Sequence, residues 1–218
     1  MYTSVRAFGA SLIFALFAAP SAWAAPYVWV TTEGAVAQAH VGELLPGRGD
    51  TTLPTLKEPR ALLADGKELP VQEKDGGYAI TLPDADVSGD LRFTAKSLDK
   101  DDVLTVFATK SGRAETKPVN DLELVPVEAN GNRFRLIWKG KPVAAAVVGV
   151  QTSAGWRRTL RADEDGTVSL VSEDYPDLFP SVYVLNATVK LNGEMTFDDK
   201  KYDQVRYTAT LAFEVSKP

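Results

Sequence analysis

A single histidine, His40, and the absence of cysteine bound the chemistry open to this chain. Thiolate nucleophiles and zinc–thiolate sites both need cysteine, so neither is available. A Ser-His-Asp triad would have to use His40, and the Gly-x-Ser-x-Gly turn that exposes a serine nucleophile does not occur. Alternation along Ala35–Val41 puts His40 on one strand face with Val36 and Gln38, opposite Ala35, Ala37, Ala39 and Val41. That is the pattern of a half-exposed strand histidine. A lone imidazole holds nickel, cobalt or copper only with help from carboxylates, a free amino terminus or backbone nitrogen. Glu43, three residues on, and Ala25, ahead of the preceding strand, could give that help. His40 is therefore the candidate metal ligand, with Trp29 and Glu43 as candidate binding residues. Trp29, like Trp138 and Trp156, reads most simply as core or inter-sheet packing.

The acidic clusters carry less. Asp163-Glu-Asp-Gly resembles part of a calcium loop, but an EF-hand register would place Arg161 at the first ligand position and Ser172 at the last, where a bidentate glutamate belongs. It reads as a hairpin turn. Asp99-Lys-Asp-Asp and Asp198-Asp-Lys-Lys-Tyr-Asp read as solvated turns or loops, and Glu173-Asp-Tyr-Pro-Asp as a loop at a sandwich end, where ligands bind. No pair of carboxylates stands out as an acid/base couple. Gly47-Arg-Gly49 has no following helix with which to cradle phosphate. These absences predict a protein that is not an enzyme.

The elements that must position these residues are almost all strands. Met1–Arg6 carries one positive charge, an apolar run follows from Ala7 to Ala19, and Ala22-Trp23-Ala24 is a small-x-small cleavage pattern. The run is short for a bilayer span. Residues 1–24 thus read as a signal peptide cleaved after Ala24, leaving a chain that does not span a membrane. Arg6 is the one charged residue removed, so the net charge moves from −5 to −6. A mildly acidic chain without a basic block is a poor partner for nucleic acid. Export without disulfides suits a bacterial periplasm, so the expected location is periplasmic or secreted.

From Tyr27 onward, short alternating runs are separated by Gly, Pro and Asp-Gly turns. Tyr27–Thr32 and Ala35–Val41 form a hairpin, Leu44–Pro59 is loop, and Arg60–Leu82 is a three-strand meander with turns at Asp65-Gly66 and Asp75-Gly76. Leu91–Ala95 and Val103–Ala108 complete a first half. Ser111–Pro118 lacks apolar periodicity and marks a domain boundary or sheet-to-sheet crossover. In the second half, Val143–Val150 is small and apolar throughout, which predicts a strand buried on both faces. Asn192-Gly193 predicts the final hairpin turn. In the last strand Val205, Tyr207, Ala209, Leu211, Phe213 and Val215 share one face. The expected fold is all-β, two tandem antiparallel Ig-like sandwiches spanning residues 25–118 and 119–218.

Several landmarks resemble one family. They are Tyr27-Val-Trp-Val, a strand ending at Gly42-Glu43, Leu122-Glu-Leu-Val-Pro-Val, Trp138-Lys-Gly-Lys-Pro-Val, Asp163-Glu-Asp-Gly, and Tyr207-Thr-Ala-Thr-Leu-Ala-Phe-Glu-Val. Together they look like the bacterial periplasmic proteins labelled NikM-like, or nickel-uptake accessory proteins, whose C-terminal part is a carboxypeptidase-regulatory-like sandwich. The resemblance implies a non-enzymatic accessory protein for nickel or cobalt uptake, partnered by a membrane transporter or outer-membrane receptor. Members of that family carry a histidine near the mature N-terminus, where this chain has Ala25-Pro26. The alternative is a structural or protein-interaction module with no small ligand.

Overall fold

The computed structural model describes residues 26–45, 55–83, 89–173 and 177–216. The expected signal peptide and its cleavage point lie outside the described residues, as do Gly47-Arg-Gly49 and residues 174–176 of the Glu173 loop. The described residues hold sixteen strands. The first eight are β1 (Val28–Glu33), β2 (Val36–Val41), β3 (Lys57–Leu62), β4 (Glu68–Leu69), β5 (Val71–Lys74), β6 (Gly77–Thr81), β7 (Leu91–Leu98) and β8 (Leu104–Ser111). The rest are β9 (Leu122–Pro126), β10 (Arg133–Trp138), β11 (Lys141–Pro142), β12 (Val147–Thr152), β13 (Arg157–Arg161), β14 (Thr167–Ser169), β15 (Ser181–Phe197) and β16 (Lys200–Val215). The chain is all-β, as its alternation requires, and no helix among the described residues is long and apolar enough to cross a membrane.

These strands build two Ig-like sandwiches around one shared sheet. The shared sheet has eight strands in the order β13-β12-β15-β16-β8-β7-β3-β4. A four-stranded sheet, β1-β2-β6-β5, closes the first sandwich over β3, β7 and β8, with Val30, Ala39, Ile80, Phe93 and Phe107 between the layers. A smaller sheet, in which β10 pairs with β9 on one edge and with β11 and β14 on the other, closes the second over β12, β15 and β16. Phe134, Leu136, Val148, Val150, Leu185 and Leu211 fill that core. Phe107 of β8 points into the first core while its neighbour Val106 packs on the second. Side chains alternate across a strand, so the two smaller sheets lie on opposite faces of the shared sheet.

The seam between the halves is a parallel ladder. β16 pairs with β8 from Val205↔Leu104 to Ala212↔Ser111, while the other strand pairs among the described residues are antiparallel. At the end of β8 the chain turns at Gly112, whose φ of 107° belongs to glycine. A Cβ there would come within 2.2 Å of Asp90 Oδ1. The stretch from 112 to 121 then carries the chain from the shared sheet to β9, so the unpatterned Ser111–Pro118 segment is a sheet-to-sheet crossover.

Several local expectations are corrected. The Arg60–Leu82 run is not one meander: β3 and β4 belong to the shared sheet, β5 and β6 to the first small sheet. Pro70, which has no N–H to give a ladder, sits at the switch, and its carbonyl accepts from Thr81 N at 3.2 Å. The loop ends earlier than Pro59, because β3 begins at Lys57. Its register shifts between Lys57 and Arg60, with Glu58 at φ 50°, so a bulge accommodates the proline. Val143–Val150 is interrupted by a turn with Ala145 at φ 54°, and the buried strand starts at Val147, because here the chain leaves one sheet for another. The Asp163 turn is a corner between β13 of the shared sheet and β14 of the second small sheet, not a hairpin. Asn192-Gly193 is not the last hairpin turn. β15 runs through it with a bulge between Asn192 and Met195, and the chain reverses at Asp198-Asp199 (φ 48° and 58°), which had read as solvated loop.

Candidate functional site

β1 and β2 pair with Trp29 opposite His40, both on the outer face of their sheet, since Val28, Val30, Ala37 and Ala39 fill the inner one. The predicted face of His40 is the observed one. The two rings stack at 4.1 Å and 19°. His40 Nε2 is 2.8 Å from Thr31 Oγ1, a hydrogen bond whose direction depends on the imidazole tautomer. Partial burial lowers the His40 pKa, because the charged ring would lose solvation. At neutral pH the ring is therefore an uncharged partner of Trp29.

Glu43 lies where the chain leaves β2 and crosses onto the second half. Its Oε2 accepts from Gln151 Nε2 at 3.4 Å, and Gln151 Oε1 accepts from Leu45 N at 3.0 Å. Arg157 donates to Leu45 O, and Leu44 N donates to the Tyr27 hydroxyl at 3.1 Å. Tyr27, Val184 and Ala212 form a small apolar cluster beneath, flanked by Trp29, Leu44 and Val182. Burial pushes the Tyr27 hydroxyl up to about 12; Leu44 N–H and Arg157 pull the other way and Glu43 adds to the rise. It stays protonated. Trp29 thus carries His40 on one side and flanks the Tyr27 cluster, while Glu43 and Leu45 join the first sandwich to β12 and β13 of the second.

A metal site there would have to start from His40 and Glu43. Among the described residues no three His, Cys, Asp or Glu side chains assemble to hold one. One nitrogen of His40, Nε2, is engaged by Thr31, and Glu43 is turned to Gln151. Ala25, the remaining ligand considered, lies outside the described residues. The acidic turns are likewise self-satisfied. Asp165 Oδ1 accepts from Thr167 N and its Oδ2 pairs with Arg135 at 3.0 Å. The Asp165 carboxyl is held below its ordinary range, first by the Thr167 side-chain hydrogen bond. Asp99 Oδ1 accepts from Asp101 N and Val103 N, so Asp99–Asp102 is a capped turn.

A buried charge network went unread in the sequence. Arg92 and Glu123, each 1% exposed, pair at 3.0 Å, and Arg92 also reaches Glu115 Oε2 at 2.6 Å. Lys110 pairs with Asp90 at 2.6 Å and donates to the Glu115 carbonyl. Asp90 caps the crossover by accepting from Ala114 N and Glu115 N, both at 2.9 Å. Burial works against the Arg92 charge more than any other single influence. The pairs with Glu123 and Glu115 together outweigh it and hold the guanidinium above its ordinary range. Arg92 and Lys110 are direct cross-strand neighbours on β7 and β8. Two buried like charges side by side demand acids from elsewhere, but that adjacency exists only once the strands are paired.

No family model and no curated protein matches the chain. Among solved structures it is similar to "Biofilm associated protein - BSP domain", with 16% identity over 88% of this chain and 30% of that one and a TM-score of 0.22. It is similar also to "Crystal structure of tetra-tandem repeat in extending region of large adhesion protein", with 16% identity over 87% of this chain and 50% of that one and a TM-score of 0.23. A third is the Bacteroides ovatus mixed-linkage glucan utilization locus SGBP-B in complex with mixed-linkage heptasaccharide: 13% identity, 84% of this chain, 43% of that one, TM-score 0.18. The chain spans half or less of each of these proteins. Superpositions this loose carry no argument about its function.

Proposed function

We propose that the chain is an exported, non-enzymatic interaction module whose two sandwiches act as one stiff unit. The observation that supports this reading is the seam: the β8–β16 ladder and the Glu43–Leu45 clamp on Gln151 and Arg157 together tie the two halves to each other. A stiff pair of sandwiches positions surfaces for a partner, a transporter or an outer-membrane receptor among the candidates. It leaves no activated nucleophile or acid/base couple in that region. The nickel or cobalt accessory role implied by the family resemblance would need a donor set around His40, and the described residues supply none.

Calorimetric titration with nickel, cobalt, copper and zinc tests this reading, with His40→Ala run alongside. The interaction module gives no saturable heat that depends on His40. Micromolar binding that His40→Ala weakens would replace it with the metal-uptake role.

A further inference from the structure

The second small sheet ends at β9 and leaves part of the shared sheet's face without a covering layer. Towards one end of that face the 112–121 crossover seals Arg92 and Lys110. The next two rows remain open. Across them, in register, run Arg60, Thr94 and Ala108, then Lys96 and Val106, before Ala209 and Tyr207 pass beneath the second small sheet. Thr94 and Ala108 are small where their neighbours are long, so the face sinks into a trough of about 250 Å³, walled by Asn120–Leu122 on one side and Met195 on the other.

We propose that this trough is a saccharide subsite that takes one uncharged sugar ring of a longer glycan. Val106 and Met195, both partly exposed, offer apolar surface to the C–H face of a ring above the small Ala108. Its rim carries Glu58 and Asp121 as acceptors and Arg60 and Lys96 as donors, a set with no net charge. An anion would meet the two carboxylates, and a metal ion the two cations. The rim charges are moreover already paired, Lys96 with Glu58 at 2.6 Å, Arg60 with Glu68 at 3.0 Å and Asp121 with Lys139 at 3.6 Å. A zwitterion would have to break those pairs, whereas hydroxyls can use their spare lone pairs and N–H groups. Asn120 donates its Nδ2 to Glu123, which leaves its amide oxygen as a further acceptor. The volume is near the lower end of ligand pockets, roughly 300 Å³, which suits a single ring.

The test is titration of the purified protein with cellohexaose, maltohexaose and the hexamer of N-acetylglucosamine, followed by saturation-transfer NMR. At least one probe should bind saturably. Thr94→Phe, which fills the trough from a partly exposed position, should weaken that binding by at least about tenfold, equivalent to ~1.4 kcal/mol. Lys96→Gln should weaken it as well, and Lys190→Ala, on an exposed stretch of β15 away from the trough, should not. Melting curves establish that each variant is folded. Absence of saturable binding, or binding that folded Thr94→Phe and Lys96→Gln leave unchanged, would overturn the proposal. So would saturation of the trough by free glycine in place of the sugars. The proposal rests on the non-enzymatic reading only in taking the ring to be held and released unaltered. Chromatography separates the two: a cleaved hexasaccharide would overturn that reading and keep the trough.

Discussion

Replacing Glu123 by glutamine tests whether the buried charge network holds the crossover. The Glu123 carboxylate takes Arg92 Nη2 at 3.0 Å and Nε at 3.1 Å on Oε1, while Oε2 takes Val119 N at 3.1 Å, Asn120 N at 2.9 Å and Asn120 Nδ2 at 3.0 Å. Every partner is a donor. Glutamine keeps the shape but offers one oxygen and one NH₂ group. Whichever way the amide turns, the NH₂ faces either the guanidinium or the donors of Val119 and Asn120. Arg92 would also lose one of its two carboxylates in a place where water cannot replace it. Breaking a buried pair from one side costs about 3–5 kcal/mol, a large part of a domain stability of roughly 5–15 kcal/mol. Urea unfolding followed by tryptophan fluorescence measures the loss. Lys201→Ala, which removes an exposed pair with Glu194 at 3.3 Å, is the control and should cost about 0–1 kcal/mol. Limited proteolysis should show the 112–121 stretch opening first in Glu123→Gln. A Glu123→Gln loss no larger than that of Lys201→Ala would refute the reasoning.

Three further outcomes follow from the geometry. The His40 pKa is lowered in the folded state, so its contribution to stability is present above the ordinary histidine value of 6.5 and is lost as pH falls from there through the folded pKa. Thermal melts should thus show a drop as pH falls below 6.5 that His40→Phe makes smaller; an unchanged pH profile would refute the assignment. Thr210 Oγ1 is buried and finds no hydrogen-bond partner among the described residues, so Thr210→Val should raise the unfolding free energy by about 1 kcal/mol in urea titration. Asp199 turns the last hairpin at φ 58°, a conformation that glycine adopts without strain. Asp199→Gly should therefore stabilise by roughly 0.5–1 kcal/mol, read as a rise in the urea midpoint.

Much of the local structure was legible because it depends only on neighbours along the chain. A period of two is enough to place His40 opposite Ala37 and Ala39, and Tyr207, Ala209 and Leu211 together on the face that fills the second core. The partner of Trp29 was not legible: strands ending at Thr32 and restarting at Ala35 set it opposite Gln38, whereas the turn falls at Gly34-Ala35 and pairs it with His40. Alternation reports that one face of a strand is buried, but not against what. So the switch of sheets at Pro70 was invisible, as was the turn that splits Val143 from Val147. At Asn192-Gly193 a sequence that favours a tight turn is carried through as a bulge, because β15 and β16 gain a longer ladder by reversing at Asp198-Asp199.

The amino-acid sequence by itself determined that this chain is built of strands, which faces of them are apolar, and that it has one imidazole and no thiol to work with. Only the tertiary structure decided that β8 and β16, whose partners such as Leu104 and Val205 are far apart in the chain, pair in parallel and fuse two sandwiches through one sheet. The same holds for Arg92 and Lys110, charged residues that lie in the interior because Asp90, Glu115 and Glu123 converge on them. It holds too for Glu43, whose partner Gln151 arrives from the other half. Pairing between distant segments leaves no periodic trace in either one, since each contributes only half of the contact and the energy resides in the pair.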